Sequence, residues 1–122
     1  MSGLRLLVVE DEAMVAMMLE DMLADLGCVV AGSAGDISRG LAFAADDALA
    51  LDAAVLDINL GGEKVFPVAE RLVTRGVPFI FATGYGRDGL LGAFSHTPVL
   101  SKPFDHRALE AALISALRPQ HG

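Results

Sequence analysis

Two kinds of segment alternate along the chain, and that alternation constrains the fold more than any other feature. Short β-branched apolar runs, Leu4–Val9, Val29–Ser33, Ala53–Leu56, Phe79–Ala82 and Val99–Ser101, read as strands. Between them lie longer stretches with apolar residues every three to four positions, which predict helices over Glu12–Leu26, Ile37–Ala48, Val65–Arg75 and Asp105–Leu117. Leu6-Leu7-Val8-Val9 and Phe79-Ile80-Phe81 are apolar on both faces, as central strands of a covered parallel sheet require. Gly27 and Gly76 sit where left-handed residues end helices, Asp36 and Asp105 sit at N-cap positions, and Pro67 fits only a first helical turn. From 84 to 98 the pattern weakens, because Gly84, Gly86, Gly89 and Gly92 each cost a helix about 1 kcal/mol relative to Ala. A helix there is expected to be short or mobile.

The whole predicts a three-layer, doubly wound α/β fold with a parallel five-stranded sheet. Right-handed crossovers and the flavodoxin-like strand order 2-1-3-4-5 are the natural choices at this length. The 122 residues are enough for one domain, 1–122, with its own core. A net charge of −7 with nine scattered Lys and Arg argues against nucleic acid as a partner. Cys28 stands alone, so neither an internal disulfide nor a Cys-based metal cluster can form, and it reads as a small buried hydrophobe. The first apolar run is too short for a signal segment or a membrane span, which makes a cytoplasmic protein with no membrane partner the expectation.

In such a sheet, ligands bind beyond the carboxyl ends of the strands, at the switch point between the first and third. The five strand candidates supply Glu10-Asp11 after the first, Asp57 after the third, Thr83 after the fourth and Lys102 after the fifth. Three acids, a hydroxyl and an ammonium thus converge on one concavity. Carboxylates that close repel one another unless a cation offsets them, and Mg²⁺ suits the set because it takes one or two carboxylates and leaves a position for a phosphoryl oxygen. Lys102 offers a point charge for Asp57 at rest and for a phosphoryl oxygen afterwards. Taken singly, each residue has a plain alternative: a helix start for Glu10-Asp11-Glu12, a turn for Asp57, a strand residue for Thr83 and a solvated lysine for Lys102.

The runs Leu6-Leu7-Val8-Val9-Glu10-Asp11-Glu12, Ala54-Val55-Leu56-Asp57-Ile58-Asn59-Leu60, Ala82-Thr83-Gly84 and Ser101-Lys102-Pro103-Phe104 resemble the receiver domains of two-component response regulators. That resemblance implies that Asp57 is the phosphoacceptor and that Asp11 and Asp57 ligate Mg²⁺ directly. It further implies a water-mediated Glu10, the Asn59 backbone carbonyl as the last protein ligand, Thr83 and Lys102 on phosphoryl oxygens, and a cis Lys102-Pro103 bond. The implied partners are a sensor histidine kinase and an unknown downstream protein, in a switch that assists its own phosphoryl transfer and autodephosphorylation. Pro78-Phe79-Ile80-Phe81-Ala82-Thr83-Gly84-Tyr85 further resembles the PFxFATG-Tyr signature of an alphaproteobacterial subgroup whose members often stand alone and are associated with HWE-type kinases.

Receivers usually carry an aromatic residue three positions before the lysine; here that position is Val99. Tyr85 is then a candidate substitute reporter, and the 84–98 segment a candidate route for the signal. On the first helix, Val15, Leu19, Met22 and Leu26 form the expected core stripe with Met18 and Leu23 flanking it, while Met14 and Met17 are candidates for exposed partner contacts. His96, His106 and His121 lack metal-ligand spacing and read as surface residues. A hydrolase of the haloacid dehalogenase type is the competing enzyme reading, but its second acid is expected two residues after the nucleophile, where this chain has Asn59. A degenerate receiver that only mediates contacts is the third reading, opposed by the presence of Glu10, Asp11, Asp57, Thr83 and Lys102.

Overall fold

A computed structural model of the chain describes residues 2–84, 94 and 96–118. Tyr85 and most of the segment in which the short or mobile helix was expected lie outside the described residues, as does His121. In chain order the elements are β1 (Arg5–Val9), α1 (Ala13–Asp25), β2 (Val29–Ala34), α2 (Ile37–Ala45), β3 (Ala53–Asp57), β4 (Asn59–Leu60), β5 (Glu63–Lys64), α3 (Phe66–Arg75), β6 (Phe79–Thr83), β7 (Val99–Ser101) and α4 (His106–Leu117). The five long strands form one parallel sheet in the order β2-β1-β3-β6-β7, which is the expected 2-1-3-4-5 arrangement once the short β4–β5 hairpin is set aside.

Alternation along the central strands divides the core in two. Leu7, Val9, Ala54 and Leu56 pack with Ala44 of α2 and Val68, Ala69 and Leu72 of α3 on one face. Leu6, Val8, Ala53, Val55 and Ile80 pack with Leu19, Met22 and Leu23 of α1 and Leu109 and Leu113 of α4 on the other. Burial of both faces is why these strands are apolar without interruption. Asp36 and Asp105 cap α2 and α4 by accepting the backbone N–H of Arg39 and Ala108, and Gly76 ends α3 at φ 73°.

Two expectations need correction. Helix α2 stops at Ala45 rather than Ala48, because the Asp46 side chain accepts the Ala48 N–H and turns the chain out of the helix. The buried side of α1 is rotated toward Ala16 and Leu23, leaving Met18 38% exposed beside Met14 at 84% and Met17 at 64%. The β4–β5 hairpin was not anticipated, since two-residue strands are too short to show a period. Its loop is Gly61-Gly62 at φ 57° and 90°, the doubly left-handed pair that suits a two-residue hairpin turn.

Candidate functional site

Strand register sets the site. Val9 pairs with Leu56, so Glu10 comes level with Asp57. Asp57 pairs with Ala82, which leaves Thr83 one step further out, and Thr83 pairs with Ser101, which leaves Lys102 one step beyond again. Among the described residues the buried polar side chains are Glu10, Asp57 and Thr83, at 3%, 6% and 2% exposure. All three stand at strand ends, where burying a polar group demands a partner.

Lys102 supplies that partner for the two acids. Its Nζ lies 2.8 Å from Glu10 Oε1 and 3.2 Å from Asp57 Oδ2. The other oxygens of these acids face backbone: Glu10 Oε2 accepts the Glu12 N–H at 3.0 Å, and Asp57 Oδ1 accepts the Asn59 N–H at 3.3 Å. Asp11, at the exposed edge, accepts the Gly61 N–H from the hairpin at 3.0 Å. The Lys102-Pro103 bond that follows is cis. Asp11, Glu12, Asp57, Asn59, Gly61, Gly62, Thr83, Gly84 and Lys102 together line an open cleft of about 460 Å³.

Burial and charge pull these groups in different directions. Burial pushes the Glu10 carboxyl up to about 7, more than the opposing hydrogen bonds from Lys102 and the Glu12 N–H can offset, and neighbouring Asp57 adds to the rise. Burial works against the Lys102 charge as well, but its hydrogen bond to Glu10 and the charges of both acids win and raise its pKa. Asp11 is scarcely buried, and the Gly61 N–H holds its carboxyl below the usual range.

The chemistry of the donor set fits a hard divalent cation. Carboxylate oxygens of Glu10, Asp11 and Glu12 come within 4.8 Å of one another, all of them oxygen donors. Asp57 stands beside that cluster, its oxygens hydrogen-bonded to Lys102 and to the Asn59 N–H. Sequence reasoning singled out Glu10, Asp11, Asp57, Asn59, Thr83 and Lys102, and the fold brings all six to one end of the sheet. It missed the contacts of Gly61 and Lys64, for which the Gly61-Gly62 turn pair was a signal.

Residues 6–114 match the family described as the response regulator receiver domain. The chain belongs to that family. Receiver domains bind Mg²⁺ at an acidic pocket and act as switches rather than as conventional enzymes, and this receiver has an acidic cluster, Glu10-Asp11-Glu12. Among solved structures, this receiver is similar to SdrG from Sphingomonas melonis Fr1, with 44% identity and a TM-score of 0.84 over 97% of this chain and 100% of that one. The BeF3-activated conformation of SdrG, from Pseudomonas melonis Fr1, matches at 45% identity and a TM-score of 0.79, again over 97% and 100%. The receiver domain of the PhyR response regulator of Erythrobacter litoralis matches at 26% identity and a TM-score of 0.82, over 99% of this chain and 98% of that one. A comparison with curated proteins gave no match. Among the described residues of this receiver, no helix is long and apolar enough to cross a membrane.

Proposed function

We propose that this receiver is a single-domain, Mg²⁺-dependent phosphorylation switch in which Asp57 accepts a phosphoryl group from a sensor histidine kinase. The observation that carries the reading is the pairing of buried Asp57 with Lys102 at 3.2 Å, at the lip of a cleft lined by Thr83 and acidic groups. A carboxylate oxygen of Asp57 attacks phosphorus while the bond from phosphorus to the kinase histidine breaks. Lys102 and the Thr83 hydroxyl meet the phosphoryl oxygens, the positioning and charge stabilisation that this transfer mainly requires. Asp11, Asp57 and the Asn59 carbonyl would hold Mg²⁺ directly, with Glu10 reached through water. When bound, the ion neutralises charge on the phosphoryl oxygens.

The output is a contact with a downstream protein, or drainage of phosphoryl groups from a shared kinase. Likeness to SdrG over its full length supports the single-domain reading, and the BeF3-activated SdrG structure supports a phosphoryl response. Membership of the PFxFATG-Tyr subgroup, an HWE-type kinase and a cytoplasmic location belong to the same proposal. Val99, where an aromatic is usual, packs partly buried against the core that holds Phe79 and Phe81. The signal is therefore proposed to leave through the 84–98 segment, with Tyr85 as its candidate reporter.

Phosphotransfer from purified histidine kinases to the wild type and to Asp57→Asn tests the assignment. Labelling of the wild type alone is expected, and equal labelling of the variant would overturn it. Beryllofluoride with Mg²⁺ is expected to shift NMR signals around the cleft in the wild type and to leave Asp57→Asn unaltered.

A further inference from the structure

Lys64 makes a contact that the acidic site itself does not call for. It stands directly opposite Asn59 in the antiparallel β4–β5 ladder, a relation that brings same-face Cβ atoms to about 5 Å. Its Nζ lies 2.6 Å from Asn59 Oδ1. The hairpin that carries this pair is fastened to the site at two further points, by the Gly61 N–H on Asp11 and the Asn59 N–H on Asp57. An ammonium has donors and no acceptor, so it can meet only the carbonyl end of the Asn59 amide. Lys64 thereby occupies the carbonyl end of the Asn59 amide, and Asn59 is among the residues that line the cleft.

We propose that Lys64 is a positioning residue that prolongs the phosphorylated state of Asp57 by keeping the donor end of the Asn59 amide available to the cleft. The inference rests on the phosphoacceptor role of Asp57 proposed above. In the loss of the phosphoryl group, a water oxygen bonds to phosphorus as the bond from phosphorus to the Asp57 oxygen breaks. Asp57 leaves as a carboxylate, and the water proton passes to the released phosphate or to buffer. An amide N–H can hydrogen-bond a phosphoryl oxygen but cannot accept a hydrogen bond from the attacking water. An amide carbonyl turned into the cleft does accept one and orients that water. Without Lys64 the amide is free to turn, and hydrolysis accelerates.

The test phosphorylates the full chain with acetyl phosphate and Mg²⁺, removes the donor and follows the phosphoryl half-life. Lys64→Ala is expected to shorten it about three- to tenfold, the net worth of one hydrogen bond expressed as a rate. Lys64→Arg, which restores a donor, is expected to recover most of the half-life. In an Asn59→Ala background the same Lys64→Ala change is expected to have no effect, as coupling through that side chain demands. The Asn59 side-chain amide signal of the metal-free protein is expected to move in Lys64→Ala while the thermal midpoint stays. A half-life unchanged by Lys64→Ala, or a shortening that persists without the Asn59 side chain, overturns the inference while leaving Asp57 as phosphoacceptor. A wild type that folds but takes up no phosphoryl group overturns both.

Discussion

Lys102 and Glu10, 92 positions apart in the chain, meet at 2.8 Å between Nζ and Oε1. That contact is shorter than the one from Lys102 to Asp57, so at rest the ammonium is shared, with the closer hold on the acid that is proposed to reach the metal only through water.

Glu10 should leave a signature in the stability of the metal-free protein. Its folded-state pKa, raised to about 7 from 4.5, means that the folded chain binds more protons than the unfolded chain between those values. Stability from this group is thus present at low pH and lost as pH rises toward 7 and beyond. Asp11, held below its ordinary 3.8, and Lys102, raised above its ordinary 10.5, change stability outside that window. Denaturant titrations in chelator are expected to show falling stability across the window, and Glu10→Gln to flatten the slope.

Lys102→Met removes the only cation contacting the two buried acids among the described residues. Glu10 can take up a proton in response, which limits the loss of stability to about 1–3 kcal/mol, below the usual 3–5 for an orphaned buried charge. The response to beryllofluoride is expected to disappear even where the fold persists. Circular dichroism and NMR titration of the same sample separate the two effects.

Met14, Met17 and Met18 border an apolar hollow of about 350 Å³ that Asp21, Met22, Asp25 and His106 complete. If the kinase docks there, Met17→Asp slows phosphotransfer from the kinase about tenfold, the cost of losing one well-packed anchor. Labelling by acetyl phosphate, which needs no docking, is expected to be unchanged. Equal kinase rates for the two proteins would remove Met17 from the interface.

Arg75 lies far from this chemistry and tests the scaffold alone. Its guanidinium donates to the carbonyls of Ala44 at 3.1 Å and Leu49 at 2.6 Å, tying the end of α3 to the end of α2 and the loop before β3. Arg75→Ala is expected to cost about 2–4 kcal/mol, from two carbonyls left without a donor. Phosphoryl uptake by the remaining folded protein should be normal.

Much of this was legible in the sequence because the central strands are short, largely apolar and closed by a polar residue. Leu56-Asp57 and Ala82-Thr83 announce both the core and its exit, and topology then places those exits together. Less legible was what depends on a single side-chain contact. Asp46 ends α2 three residues early by taking the Ala48 N–H, which periodicity cannot register. Met18 has the right spacing for the core, yet a modest rotation of α1 turns it outward. The pairing of Asn59 with Lys64 follows from a hairpin too short to leave a pattern.

The stepped register, with Asp57 on Ala82, Thr83 on Ser101 and Lys102 one place further, has a consequence for how such a protein can vary. The cleft is assembled by counting residues along backbone ladders, so it tolerates exchanges on the helix surfaces far better than a change in length. One residue deleted from β3 or β6 would turn every later side chain of that strand to the opposite face and carry Asp57 or Thr83 out of alignment. Insertions in the loops at the other end of the sheet leave the count intact. The sheet serves this site as a ruler, and its reading frame is what heredity has to protect.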